Sequence, residues 1–345
     1  MDSDLLLQLG EAIERITTPD IGARGVVGPL YPAARRKAGG PMALQAAQLL
    51  ADRVKTGNFV IIVTGWPNRP QISPLVAEND GPVGAATLSR ALSVGLKAVP
   101  LILIEEQLVG AMKAVARAAG LCVMGREEAE NSCSRSPAPV ACVVIESFPV
   151  EPESAEKAAA MLVAETRAAA FIAVERGGCS EQGQIHMSSG RSTTASTAKT
   201  DLVLDRVKAG GGVTIGIGDG GNELGMGNIR DEIMKLIPRY RKCICGCESG
   251  IVPIRTVDVL VLATVSNWGA YAIEAALAGL VGKVSVMHDD AVERSVLRAA
   301  AQAGLIDGMT GICASSADGL PEEVNRSIVQ LLRASVAAHL QKQVT

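Results

Sequence analysis

Two carboxylates and an amide sit inside one glycine-rich turn, Gly216-Ile217-Gly218-Asp219-Gly220-Gly221-Asn222-Glu223-Leu224-Gly225-Met226-Gly227. Glycines at 216, 218, 220, 221 and 225 let the backbone turn tightly and approach a ligand closely. A turn of this kind between a strand and a helix commonly offers bare N–H groups to phosphate. Asp219, Asn222 and Glu223 add oxygen donors of the type that hard cations prefer. The pattern points to a small-molecule site built around a divalent ion. The competing reading is a structural turn whose acids cap the following helix.

The surrounding elements must place those groups. The apolar run Val213–Ile217 reads as a buried strand entering the turn, and 228–237 as the helix leaving it. Further strands are expected at 59–65, 98–104, 141–145, 170–174 and 257–264. Helices are expected at 3–16, 41–56, 82–95, 107–119, 152–166, 197–209, 270–279, 289–303 and 321–341. Residues 20–25 read as a polar loop, 127–139 as a flexible surface loop and 179–195 as irregular chain. Alternation of this kind predicts an α/β fold: a mostly parallel sheet flanked by helices in three α/β/α layers, as one domain or one domain of two lobes. The chain of 345 residues carries 48% hydrophobic residues, enough for a sizeable core.

In open parallel sheets, ligands bind beyond the carboxyl ends of the strands. The polar clusters of this chain follow strands: Thr64-Gly65 with the later Glu78 and Asp80, then Glu105-Glu106, Glu175-Arg176, the Asp219/Asn222/Glu223 turn, and Ser266-Asn267. Carboxylates gathered on one rim repel unless a cation neutralises them. We therefore expect a divalent cation of the magnesium or manganese type, held by Asp80, Asp219 and Glu223 with Glu78 as a further donor. Glu105 and Glu106 read instead as helix caps or solvated rim charges.

Aromatic residues are only 2% of the chain, so stacking platforms for single-stranded nucleic acid are scarce, and a net charge of −3 gives no attraction to nucleic acid or an anionic membrane. No apolar run reaches the length of a spanning helix, and the acidic start Met1-Asp2-Ser3-Asp4 lacks a signal-peptide layout. Eight cysteines suggest reduced thiols and a cytoplasmic setting. On a strand, Cys243, Cys245 and Cys247 would face one side. No second Cys or His pair stands at zinc-finger spacing, and His186, His288 and His339 are far apart in sequence, so these cysteines read as structural.

Four segments, ENDGPVGA (78–85), VERGG (174–178), GIGDGGNELGMGNI (216–229) and VSNWGAYAI (265–273), resemble the C-terminal domain of D-glutamate cyclase, in that family's order over roughly 15–340. The resemblance implies a lyase that cyclises D-glutamate to 5-oxo-D-proline with loss of water, with the mitochondrial matrix as the alternative compartment. Two departures stand out. The family's Glu-Thr-Asp-Gly-Pro-Pro-Gly reads Glu78-Asn79-Asp80-Gly81-Pro82-Val83-Gly84 here, and its Tyr-rich Asn-Met stretch reads Gln184-Ile185-His186-Met187. Vertebrate cyclases also carry an N-terminal half that looks like a hydro-lyase domain, with no counterpart in this sequence.

For that reaction, Glu175 is the expected general base and Arg176 the clamp for the α-carboxylate. The N–H groups of Gly220 and Gly221 would stabilise an oxyanion, and Asn222, Ser266 and Asn267 would orient the substrate, an amino acid or other small anion. A metal-dependent phosphohydrolase is the alternative enzyme, because Gly218-Asp219-Gly220-Gly221-Asn222-Glu223 resembles a magnesium-binding turn of haloacid-dehalogenase-like phosphatases. Their Asp-x-Asp nucleophile motif is absent. A non-catalytic metal- or metabolite-binding partner of a separate hydro-lyase chain is the third reading. The apolar final helices could supply a homo-oligomer face.

Overall fold

Seven strands form one parallel sheet: β1 (Phe59–Val63), β2 (Val99–Ile104), β3 (Cys122–Val123), β4 (Cys142–Ser147), β5 (Ala170–Val174), β6 (Val213–Gly218) and β7 (Val259–Leu262). Their order is β3-β4-β2-β1-β5-β6-β7, and each neighbouring pair runs parallel. The computed structural model describes residues 2–136 and 138–342. Strands β1, β2, β5, β6 and β7 are buried along their whole length, as continuous apolar runs are when helices cover both faces. Register is set along the centre by Ile62, which pairs with Ile102 of β2 on one side and Ile172 of β5 on the other.

The helix Ser266–Val281 is buried at every position from Ser266 to Gly279. It packs against Met42–Arg53, Pro82–Leu96, Glu322–Lys342 and Ser3–Thr17, so it behaves as core rather than as an amphipathic surface helix. Pro152–Thr166 and Asp201–Ala209 pack against each other, and the latter lies on β5 and β6. The three-layer α/β/α architecture is the one expected from the alternation of elements.

Three local expectations are corrected. Most of 127–139 is not a loop: Arg126–Arg135 is a helix, started by a capping box in which Glu128 accepts from the Gly125 N–H. Pro137 lies outside the described residues. Residues 243–247 form no strand. The helix expected at 270–279 starts at Ser266, so Ser266-Asn267-Trp268-Gly269 is its first turn and not a loop before it.

Candidate functional site

The chain runs from β1 to β2 on one side of β1 and places β5 on the other, so the sheet's switch point lies between β1 and β5. Doubly wound sheets open a ligand crevice there. The segments beyond β1, β5 and β6 meet at this edge, with Arg24 and the 308–318 stretch, around a cleft of roughly 300 Å³, lined by Arg24, Glu78, Glu175, Asp219, Glu223 and Asp318 among others. That volume is at the small end for ligand pockets.

Two helix starts hold one another across the floor of the cleft. The Asp80 carboxylate accepts from the Ser266 N–H (3.0 Å) and the Asn267 N–H (2.8 Å), capping the Ser266–Val281 helix. Asn267 Oδ1 in turn accepts from the N–H groups of Gly81 (2.9 Å) and Gly84 (2.7 Å), capping Pro82–Leu96. This reciprocity explains why both motifs have the residues they have. Gly81 sits at φ +97°, and a Cβ there would come within 2.8 Å of Thr64 Oγ1. Asp80 thus rests at a helix N-terminus, where negative charge is favoured.

Glu175 follows β5 with φ +44°, a left-handed conformation uncommon for a side-chain-bearing residue and concentrated at functional sites. Ser266 donates its hydroxyl to Glu175 Oε2. The Glu223 side chain folds back into its own turn, where it accepts from the N–H groups of Asp219 (3.2 Å), Gly220 (2.6 Å) and Gly221 (2.7 Å). Glu78 accepts from Asn68 Nδ2 at 2.8 Å. Arg24 donates to Asp219 at 2.9 Å and also pairs with Asp318.

Donor atoms of Asp80, Asp219 and Asp318 lie within 4.8 Å of one another, as do those of Glu175, Asp219 and Glu223. With Glu78 these make six buried or nearly buried carboxylates, of which only Asp219 and Asp318 pair with Arg24. Burial, then repulsion from Asp219, holds Asp80, Glu175 and Asp318 well above the usual carboxylate range. The same two causes push Glu223 up to about 7, against the three N–H groups it accepts. Burial pushes Glu78 up to about 8, eased by Asn68 and reinforced by Asp219. Charged partners, Asp219 foremost, keep Arg24 firmly protonated. An all-oxygen, charge-excessive donor set of this kind fits a hard divalent cation.

Several expected roles are changed by the geometry. Arg176 is wholly buried and does not reach the cleft: it pairs with Glu105 through Nη2 (2.7 Å) and Nη1 (3.0 Å) and donates to the carbonyls of Thr64, Gly65 and Ala198. It ties the ends of β1 and β2 to the segment after β5, so it is not a substrate clamp. Glu105 holds the N-cap position of the short 3-10 helix Glu106–Leu108, as expected, but its buried carboxylate makes no capping bond there and is no solvated rim charge; Glu106 is exposed. The N–H groups of Gly220 and Gly221 are taken by Glu223, so neither stands free for an oxyanion or a phosphate. Ser266 and Asn267 are fully buried and hold Glu175, Asp80 and the second helix. Of the residues expected to touch substrate, Asn222 and Gly220 line the cleft.

Arg24, Asp318 and Asn68 were not apparent from the sequence. Arg24 lies in what reads as a plain polar loop, and Asp318 in a turn at φ +51° between the short strands Ser316–Ala317 and Leu320–Pro321. Arg69 also lines the cleft, with its Nη1 buried and without a hydrogen-bond partner. Among the described residues, no helix is long and apolar enough to cross a membrane.

A family profile described as "D-glutamate cyclase-like, C-terminal" matches residues 13–333. The chain is similar to the human protein named "D-glutamate cyclase, mitochondrial", with 27% identity over 290 residues, covering 76% of this chain and 43% of the human one. It thus spans less than half the length of that relative.

Proposed function

Because the chain belongs to the D-glutamate cyclase-like family, we propose that its acidic cleft cyclises D-glutamate, or a closely related amino acid, to the five-membered lactam with loss of water, assisted by a magnesium or manganese ion. The observation behind this reading is the gathering of Asp80, Glu175, Asp219, Glu223 and Asp318 around the sheet's switch point, where Arg24 pairs with only two of them, Asp219 and Asp318. Asp219, with Asp80, Glu223, Glu78 and Asp318 around it, would hold the cation directly or through water. Bound there, it would act as a Lewis acid on the γ-carboxylate.

The chain's own residues supply proton handling and orientation. Forming the lactam takes two protons from the substrate ammonium and gives two to the departing oxygen, so no net proton is consumed. A group that accepts and then delivers a proton works best near the operating pH. Glu175, raised by burial and held by the Ser266 hydroxyl, is placed for that shuttle. Arg69, with its unpartnered nitrogen, and Arg191, also at the cleft, are the cations for the substrate's α-carboxylate. That role passes to them from Arg176.

The test is direct. Purified protein is given D- or L-glutamate with manganese or magnesium, and ring closure is followed by NMR. The expected result is 5-oxoproline formed from the D isomer and only with cation present. A folded, cation-loaded protein that neither binds nor turns over D-glutamate would reject the reading.

A further inference from the structure

Behind the wall of the cleft the fold assembles a second, chemically different cluster. Cys243 Sγ lies 3.3 Å from both Cys245 Sγ and Cys247 Sγ. His186 Nε2 lies 3.3 Å from Cys245 Sγ and 3.5 Å from Cys247 Sγ. All four ligand atoms fall within 4.8 Å of one another. Tetrahedral zinc with Zn–S near 2.3 Å and Zn–N near 2.0 Å has ligand–ligand edges of about 3.5–3.8 Å. Four edges of the cluster, 3.3–3.5 Å, come within about half an ångström of that size, and the remaining two are no longer than 4.8 Å. The His186 ring is fully buried, and its Nδ1 finds no partner, so the sulfurs are the ring's polar surroundings.

We infer that His186, Cys243, Cys245 and Cys247 form a closed Cys3His site for zinc. Three thiolates and an imidazole are soft and borderline donors, unlike the all-oxygen cleft, so the two sites would select different ions. Four protein ligands leave no open position, which makes this a structural site rather than a catalytic one. The sequence conceals it because His186 lies 57 residues before Cys243.

Its role follows from what it joins. His186 immediately precedes Met187, Ser188 and Ser189, which line the cleft, and its carbonyl accepts from Asn222 Nδ2 at 2.9 Å. Ile244 N–H donates to the Gly190 carbonyl (3.1 Å), and Cys243 N–H to the Ser249 carbonyl (2.8 Å). Gly190, at φ +81°, has Ile244 N within 3.2 Å of where a Cβ would stand, so this approach needs glycine. A zinc ion would pin the 184–192 segment, one wall of the substrate cleft, to the 243–249 turn.

The experiment uses the purified chain grown with zinc, analysed for metal content and then reconstituted with cobalt. The expectation is one zinc per chain, and a cobalt derivative with thiolate-to-cobalt charge transfer and tetrahedral visible bands. Cys245→Ser, at an exposed position, and His186→Gln should lower zinc content to near zero, whereas Asp219→Asn should retain it. Hydrogen exchange over 184–192 and 243–250 should rise on zinc removal while β1 and β5 stay protected. A folded wild type with no zinc and three titratable thiols, a disulfide within 243–247, or zinc unaffected by Cys245→Ser would each overturn the assignment.

Discussion

Raising the pH should weaken the protein when no divalent cation is present. Glu78, Asp80, Glu175, Glu223 and Asp318 all hold their protons more tightly in the folded cleft than as free carboxyls, through burial and mutual repulsion. A group whose folded pKa is raised stabilises the fold below its unfolded value, and that contribution disappears as pH climbs through the folded value. With Glu223 near 7 and Glu78 near 8, the loss should run from about pH 5 to about pH 8. Glu78 alone, carried from 4.5 to about 8, represents on the order of 5 kcal/mol. The groups share Asp219 as a neighbour, so their effects do not add. An unfolding entropy of about 2.1 cal/mol/K per residue makes 5 kcal/mol roughly 7 °C in Tm for a chain of this length. Circular dichroism melts of protein dialysed free of hard cations would show that fall. Manganese should reverse it, more strongly at higher pH, because the ion competes with protons for the same oxygens. His288 contributes with the same sign: burial of its ring opposes charge, but Glu274 and Glu293 outweigh it and carry it to about 9. That contribution is indifferent to manganese, so the difference between the two melting curves isolates the cleft. Curves that superpose at every pH, or a Tm that rises towards pH 8 without cation, would refute the reasoning.

Four substitutions distinguish cation binding, buried charge pairing, proton transfer and helix packing. Asp219→Asn should remove the manganese-induced rise in Tm while the protein stays folded, because the carboxylates whose oxygens lie within 4.8 Å of it lose its repulsion, which offsets the lost Arg24 contact. Arg176→Met should lower stability to urea by about 3–5 kcal/mol by stranding buried Glu105, with manganese affinity of the folded protein unchanged; adding Glu105→Gln should recover part of the loss. Ser266→Ala removes a hydroxyl donor to the Glu175 carboxylate and should move the acid limb of the pH–rate profile up by about 0.5–1 pH unit. Gly84→Ala would place a Cβ 2.9 Å from Asn267 Cα and should cost about 1–3 kcal/mol in thermal or urea unfolding, together with manganese affinity through Asp80.

The sheet was readable because buried parallel strands such as Phe59–Val63 and Ala170–Val174 are unbroken apolar runs between polar loops. Glu78, Asp80, Glu175, Asp219 and Glu223 were readable because each lies in the segment that follows such a strand. Two things were hidden. The helix Val27–Ala38 contains Gly28, Pro29 and Pro32, residues that argue against a helix locally, and packing of Leu30 and Ala34 into the core overrides them. The second was partnership across the chain. Arg176 beside Glu175 reads as a site pair, but Glu105, 71 residues away, claims it. Arg24 and Asp318 lie 195 and 99 residues from Asp219, and no local spacing announces that they meet there. Glycines 220 and 221 were legible as a cradle; that Glu223 occupies it depends on a side-chain rotamer which no sequence pattern specifies.

We propose that the acidic cleft holds a divalent cation and takes D-glutamate. Isothermal titration of the metal-stripped protein with manganese, for wild type and Asp219→Ala, followed by D-glutamate, tests it most directly. Manganese should bind the wild type and not the variant, and D-glutamate should bind only the manganese-loaded protein. A folded wild type that gives no manganese heat near neutral pH would contradict it.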